Sequence, residues 1–173
     1  MWLKLVGASL VLVSSGMTGN LIAKNFLERP KQLRQLRHSL QILETEISYA
    51  ASFLPEALSR IAKASEPPVS SLFKQTSQLL LTQEGYTATE AWQQAIEENL
   101  SALTIKESDK EILLQLGASL GCSDREDQVK HLRLAQEYLQ KEEEKAEKEG
   151  EKNAPLWRYF GLVFGAVVII LLF

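Results

Sequence analysis

Two stretches of this chain restrict most of what it can become. Leu5 to Ala23 carries no charged side chain, and Phe160 to Phe173 carries no polar one. As helices rising about 1.5 Å per residue they extend roughly 28 Å and roughly 21 Å, and adding Leu156 to Tyr159 brings the second near 27 Å. The hydrocarbon core of a bilayer is about 30 Å thick. Each end therefore reads as a transmembrane helix, and the chain as an integral membrane protein in contact with the lipid bilayer. For the first stretch the rival is a cleaved signal peptide. The apolar run is long for that, only Lys4 precedes it, and no clear A-x-A site follows. For the second stretch the rival is a buried helix of a soluble core. Trp157 and Tyr159 instead suit a membrane interface, and Arg158 can snorkel to the headgroups.

Two spans place both termini on one side and the middle on the other. Lys24, Arg29, Lys31, Arg34 and Arg37 crowd the loop side of the first span, and Lys145, Lys148, Lys152 and Arg158 that of the second. The positive-inside rule then puts the middle in the cytoplasm. Within the spans, Ser15 and Gly19 form a small-xxx-small pair, and Gly161 and Gly165 a GxxxG spacing. Such faces let helices approach closely, so these four residues are the candidates for transmembrane packing.

Overall composition hides this division. The chain is 45% hydrophobic and 24% charged, like an ordinary soluble protein, because the ends offset a polar middle. That middle shows helix signals and no strand-like alternation. Leu33, Leu36, Leu40, Leu43 and Ile47 step by three and four. Pro30, just before them, fits a first helical turn. Pro55 opens a second helix with Leu58, Ile61 and Ala62 inward. Pro67 and Pro68 break the chain, and a third helix through Val69, Leu72, Phe73, Leu79 and Leu80 ends near Gly85. Three capping boxes follow, at Thr87 with Glu90, Ser108 with Glu111, and Ser123 with Glu126. Each precedes an apolar period, the first containing Trp92. Gly121 ends the fifth helix and lets the sixth start at once. From Glu137 to Lys152 the chain is almost wholly polar, with Glu137–Lys141 and Glu144–Lys148 at i,i+4. This is a solvated helical stalk, with Gly150 and Pro155 as a hinge or stop. The expected fold is all-α: a six-helix bundle at 25–140 and a charged stalk at 141–155, between terminal transmembrane helices at 1–24 and 156–173.

No convincing catalytic constellation emerges. His38 and His131 are the only histidines and stand in no metal-ligand spacing. They read as surface residues. Cys122 could act as a nucleophile with His131, but a small residue filling a turn explains it better. Glu44 and Glu46, two apart on a helix, point to different sides and are no catalytic carboxylate pair by spacing. No Gly-rich phosphate loop is present. A net charge of -3, with glutamates among the stalk lysines, argues against nucleic acid. The expectation is a non-enzyme with no cofactor, no metal and no small-molecule substrate. The densest polar cluster, Ser123 to Gln128, reads either as a capped helix start or as a partner-docking corner.

Several of these stretches resemble the stage III sporulation protein AB family: Glu28-Arg29-Pro30-Lys31-Gln32-Leu33-Arg34, Leu43-Glu44-Thr45-Glu46-Ile47, Leu54-Pro55-Glu56-Ala57-Leu58, Asp109-Lys110-Glu111-Ile112-Leu113 and Ser123-Asp124-Arg125-Glu126-Asp127-Gln128-Val129-Lys130. The resemblance covers nearly the whole chain in order. It implies a component of the channel joining mother cell and forespore in endospore formers, set in the mother-cell membrane around the forespore. It also implies likeness to the helical domains of the inner-membrane platform of type II secretion and type IV pilus machines. The expected partners are then a secretion-type ATPase and other channel subunits, and a homo-oligomer is compatible with this. Glu44, Glu46, Asp124, Arg125 and Asp127 lie in the resembling stretches, away from the assigned apolar faces, and are the candidate partner-binding residues. The competing functions are a membrane-tethered helical adaptor or receptor outside secretion, and a membrane-bound hydrolase using Cys122 or the acids.

Overall fold

The computed structural model describes residues 2–50, 52–82, 85–121 and 124–172. Among the described residues there are six α-helices: α1 Trp2–Thr45, α2 Leu54–Ala64, α3 Val69–Leu81, α4 Ala88–Asn99, α5 Glu107–Gly117 and α6 Arg125–Leu172, with a π-helical turn at Glu46–Ala50. The chain is all-α, as expected, but it is divided differently. The first apolar stretch and the first bundle helix are one helix, α1. The sixth bundle helix, the charged stalk and the last apolar stretch are likewise one helix, α6. Pro30 and Pro155 lie inside helices and neither starts nor stops one. Each removes a single N–H bond to the carbonyl four residues earlier, and the packed turns on either side carry the helix through.

Two compact units result. One comprises Lys31–Glu143, and the other Met1–Pro30 with Glu144–Phe173. In the first, the apolar stripe of α1 (Leu33, Leu36, Leu40 and Leu43) is fully buried with Leu58 and Ile61 of α2, Leu72 and Phe73 of α3, and Trp92 and Ile96 of α4. Trp92 is the centre of that core. Its ring tilts against Phe73 at 5.6 Å, and its Nε1 donates to the Leu113 carbonyl at 2.7 Å, so the buried polar edge is satisfied. Gly117 packs on the indole so closely that a Cβ there would overlap Cδ1.

The helix starts follow local chemistry, with one shift. Thr87 caps α4 as the sequence indicates: Glu90 N donates to Thr87 Oγ1 at 3.2 Å, and Thr87 N donates to Glu90 Oε2 at 2.9 Å. Helix α5 starts earlier than its Ser108–Glu111 spacing implies. Lys106 N donates to the buried Asp109 carboxylate at 2.8 Å, so Asp109 closes the end and Ser108 lies already within the helix. Ser123, of the third expected box, lies outside the described residues, as does Cys122. Asp124 caps α6 in that place, its Oδ1 accepting from Asp127 N at 2.9 Å. The turn before it uses Gly121 at φ +75°, a left-handed conformation that favours glycine.

The second unit is an antiparallel pair made of the ends of α1 and α6. Apart from Arg29 and Pro30 at its inner end, its buried residues are small: Gly19 and Ala23 on α1, and Ala146, Gly150, Ala154, Gly161 and Gly165 on α6. Large side chains such as Leu10, Met17, Phe160 and Phe164 are more than 60% exposed.

Candidate membrane and partner surfaces

Both long helices are apolar and long enough to cross a membrane, and only 11% of the most apolar stretch of each is buried within the protein. An ordinary core helix would be covered. The pairing between them depends on the absence of side chains. A Cβ on Gly19 would stand 2.5 Å from the Trp157 carbonyl oxygen and 3.0 Å from Gly161 Cα. One on Gly161 would stand 2.7 Å from the Ser15 carbonyl oxygen, and one on Gly165 would overlap Ser15 Oγ. The structure thus brings Ser15, Gly19, Gly161 and Gly165 into one seam. The seam also extends further than those four residues. A Cβ on Gly150 would lie 2.9 Å from the Phe26 carbonyl oxygen, so this glycine marks a close approach of two backbones inside a continuous helix, not a hinge. The signal for this extension was the spacing of Ala146, Gly150 and Ala154 by four, hidden among glutamates and lysines. Beside it the buried Arg29 meets Glu149 at 3.4 Å.

The five candidate partner-binding residues divide into two groups. Glu44 and Glu46 were expected on an open surface, yet both carboxylates are engaged within the fold. Glu44 pairs with Arg133 at 2.7 Å and accepts from Gln136 at 3.0 Å. Glu46 pairs with Arg60 at 3.0 Å and accepts from Ser52 at 2.9 Å. Each is about four-fifths covered. Asp124, Arg125 and Asp127 are exposed at the start of α6. Asp124 is committed to its cap, while Arg125 leans on the Ser48 carbonyl at 3.4 Å. Arg125 also borders a groove of about 530 Å³ whose wall includes Ser48, Val129, Lys130, Arg133 and Leu134. Near Ser48, the turn after α1 holds Tyr49 and Phe53 out in solvent, 86% and 78% exposed, a pair of aromatics that no reading of the sequence singled out. Their signal was two aromatics four residues apart in the break before Pro55. Exposed aromatics beside an arginine are typical of protein-binding patches.

Elsewhere, Glu143 is buried and holds Arg34 at 2.7 Å and Arg37 at 3.1 Å. His38 and His131 are exposed. Among the described residues no three His, Cys, Asp or Glu side chains gather as a metal site. The Glu90 carboxyl is held below its ordinary value by the Thr87 backbone N–H and then by the Thr87 hydroxyl.

A sequence model of the "Stage III sporulation protein AB" family matches residues 4–173, from before the first apolar stretch to the end of the second. The chain belongs to the stage III sporulation protein AB family. A curated member, "Stage III sporulation protein AB" of Bacillus subtilis (strain 168), is 40% identical over 170 residues, covering 98% of this chain and 99% of that one. A solved structure, "Stage III sporulation protein AB (SpoIIIAB)", is 41% identical and superposes with a TM-score of 0.67, covering 71% of this chain and 96% of its own. The stretches that carried the resemblance in the sequence fall on the two long helices and on α2 and α5. The family match therefore spans both the aqueous-type core and the glycine seam.

Proposed function

We propose that this stage III sporulation protein is a membrane platform of the channel between mother cell and forespore, working through its surfaces and not by catalysis. Both ends cross the mother-cell membrane around the forespore, and the 31–143 unit stands in the cytoplasm. There it docks a secretion-type ATPase and adjoining channel subunits. The observation that carries this reading is the family match across residues 4–173, which includes two uncovered apolar helix ends. The docking face is the groove at the start of α6, which Ser48 and Arg125 border, together with the exposed Asp127, Tyr49 and Phe53 that neighbour those two in the chain. The cations that flank the spans support the cytoplasmic orientation. Several are paired with glutamates, but the positive-inside rule counts Lys and Arg and not net charge.

The test is crosslinking of the full-length protein in sporulating cells, through a photoreactive residue at Tyr49 or Phe53, followed by identification of the adducts. A secretion-type ATPase or a channel subunit is the expected product. Adducts confined to proteins outside the sporulation apparatus would remove the platform reading. Topology is checked separately with a cysteine introduced at Lys141. An impermeant thiol reagent should modify it only after the cells are opened, and labelling in intact cells would place the domain outside.

A further inference from the structure

Along one side of the glycine seam the two apolar helix ends leave a trough of about 780 Å³. One wall is Val11, Ser14 and Thr18 of α1, and the other is Trp157, Phe160 and Phe164 of α6. The hydroxyls do not make the trough polar. Ser14 donates to the Val11 carbonyl at 3.1 Å and Thr18 to the Ser14 carbonyl at 2.9 Å, so both are satisfied within α1. The lining is therefore apolar along its length, with one exception at the end formed by Ile22 and Asn153. There the wall is closed by Asn153, half-buried, whose amide has no partner among the described residues.

That end is also electropositive. The register that sets Gly19 against Trp157 and Gly150 against Phe26 puts Lys24 at the level of Lys152. Arg158 follows one residue after Trp157. All three cations are exposed, and none has a partner among the described residues. The chain carries no carboxylate side chain before Glu28 and none after Glu151. Glu28 and Glu151 both stand on the side away from the apolar ends, so Lys24, Lys152 and the Asn153 amide share one level with no acid side chain beyond them, and Arg158, about 9 Å further along α6, can snorkel back toward it.

A trough with apolar walls, an amide at one end and two lysines at the level of that amide matches one occupant. We infer that it holds an acyl chain of an anionic phospholipid from the loop-side leaflet. Asn153, Lys24, Lys152 and Arg158 receive the phosphodiester and its headgroup. Juxtamembrane cations attract anionic lipid at about one kcal/mol each, or roughly fivefold in binding, so the selectivity resides at the mouth and the shape in the trough. The inference rests on the membrane-crossing reading above.

The experiment uses the full-length protein in phosphatidylcholine vesicles and reads quenching of Trp157 by brominated acyl chains. Trp2 is replaced by Phe, and Trp92 is buried away from lipid. Brominated phosphatidylglycerol should quench Trp157 at a mole fraction at least about fivefold lower than brominated phosphatidylcholine, the effect of a single cation. Arg158→Gln and Lys152→Gln should each reduce that preference, while Arg158→Lys should keep it. A second protein, with Leu10→Trp replacing Trp157 as reporter, records whether the span lies in lipid at all, because Leu10 is 65% exposed. Quenching at position 10 together with equal quenching of Trp157 by both lipids overturns the anionic site and leaves the crossing intact. Quenching at position 10 with Trp157 shielded from both lipids means that a protein helix fills the trough, and also overturns it. No quenching at either position removes the membrane-crossing reading and this inference with it.

Discussion

The two units of this protein bury opposite kinds of residue. In the 31–143 unit the inside is large and the side chains do the packing: Trp92, Phe73 and four leucines of α1 are fully covered. In the paired helix ends the buried residues along the apolar stretches are glycine and alanine, and the large apolar side chains point outward. A chain in water gains by withdrawing apolar area, at about 25 cal/mol per Å². A helix in lipid gains nothing by hiding leucine, so its partners are chosen by how closely backbones can approach. The inversion is what two different solvents acting on one chain would produce, and it supports placing the ends in a bilayer. The seam does not stop with the apolar stretches, however. Ala146, Gly150 and Ala154 continue it among exposed glutamates and lysines, so backbone approach also pairs the helices where the outward residues are charged.

If the contrast is sound, truncation should harm one unit and enlargement the other. The largest effect is expected from Trp92→Ala in a fragment of residues 31–149. That fragment should be soluble and strongly helical without lipid. The substitution removes the indole from a sealed core and leaves the Leu113 carbonyl without its donor. A loss of about 3–5 kcal/mol is expected in chemical denaturation. An unchanged midpoint would mean that the indole is not the centre of the core.

The complementary change is Gly161→Leu in the full-length protein. A side chain there meets the backbone of Ser15 and Gly19, which cannot rotate away. Overpacking of this kind costs about 1–3 kcal/mol. The measurable consequence is loss of a disulfide engineered between Leu12→Cys and Val168→Cys, formed in membranes by mild oxidation. Truncating an outward residue, Leu21→Ala, should leave that crosslink unaltered. If both variants crosslink like the parent, the seam does not hold the ends together.

How much of this was legible in the sequence depended on the range of each interaction. The stripe Leu33, Leu36, Leu40 and Leu43 and the Thr87–Glu90 box are local, and a 3.6-residue period or a three-residue spacing reveals them. Trp92 falls in the apolar period after that box, and the same local spacing shows it. The merging of segments into α1 and α6 was not visible, because Pro30 and Pro155 carry a strong local signal for a break. Only packing elsewhere along each helix overrides that signal. The small-residue spacing from Ala146 was present but lay inside a run of charge, which drew the eye to solvation. The partners of Glu44 and Glu46 could not be read at all. Arg133 is 89 residues from Glu44, and no periodicity links them.

Those two glutamates give the third test, which separates a docking charge from a structural one. Glu44→Arg faces Arg133, which is two-thirds exposed, and should lower the stability of the 31–149 fragment by about 1 kcal/mol through the lost pair and the solvent-screened like charge. Arg125→Glu removes only a long contact to Ser48 and should shift stability by under about 0.5 kcal/mol. In sporulating cells Arg125→Glu should still reduce spore formation at normal protein level, because a reversed rim charge weakens docking without unfolding the protein. Cys122→Ala should sporulate like the parent. If Cys122→Ala abolishes sporulation while the protein stays folded, and Arg125→Glu does nothing, the surface-based reading gives way to a chemical one.

The smallest expected effect belongs to the cap of α4, and it tests the claim that the 31–143 unit is governed by water. A helix end in water can be satisfied by solvent, so a cap there adds only a modest amount: Thr87→Ala should cost about 1 kcal/mol in the fragment. The pH dependence follows from the direction of the Glu90 shift. Its folded-state carboxyl titrates below the ordinary glutamate value, because the Thr87 N–H and hydroxyl bind the ionised form. The unfolded chain therefore takes up a proton first as pH falls. The cap's contribution is complete above the ordinary glutamate pKa and disappears as pH drops through the lower, folded one. Glu90 is fully exposed, so salt should weaken the effect further. Denaturation of the fragment and of its Glu90→Gln variant between neutral and acid pH should show the two curves converging at the acid end. Curves that stay parallel throughout would show that the Glu90 carboxylate does not contribute through this cap.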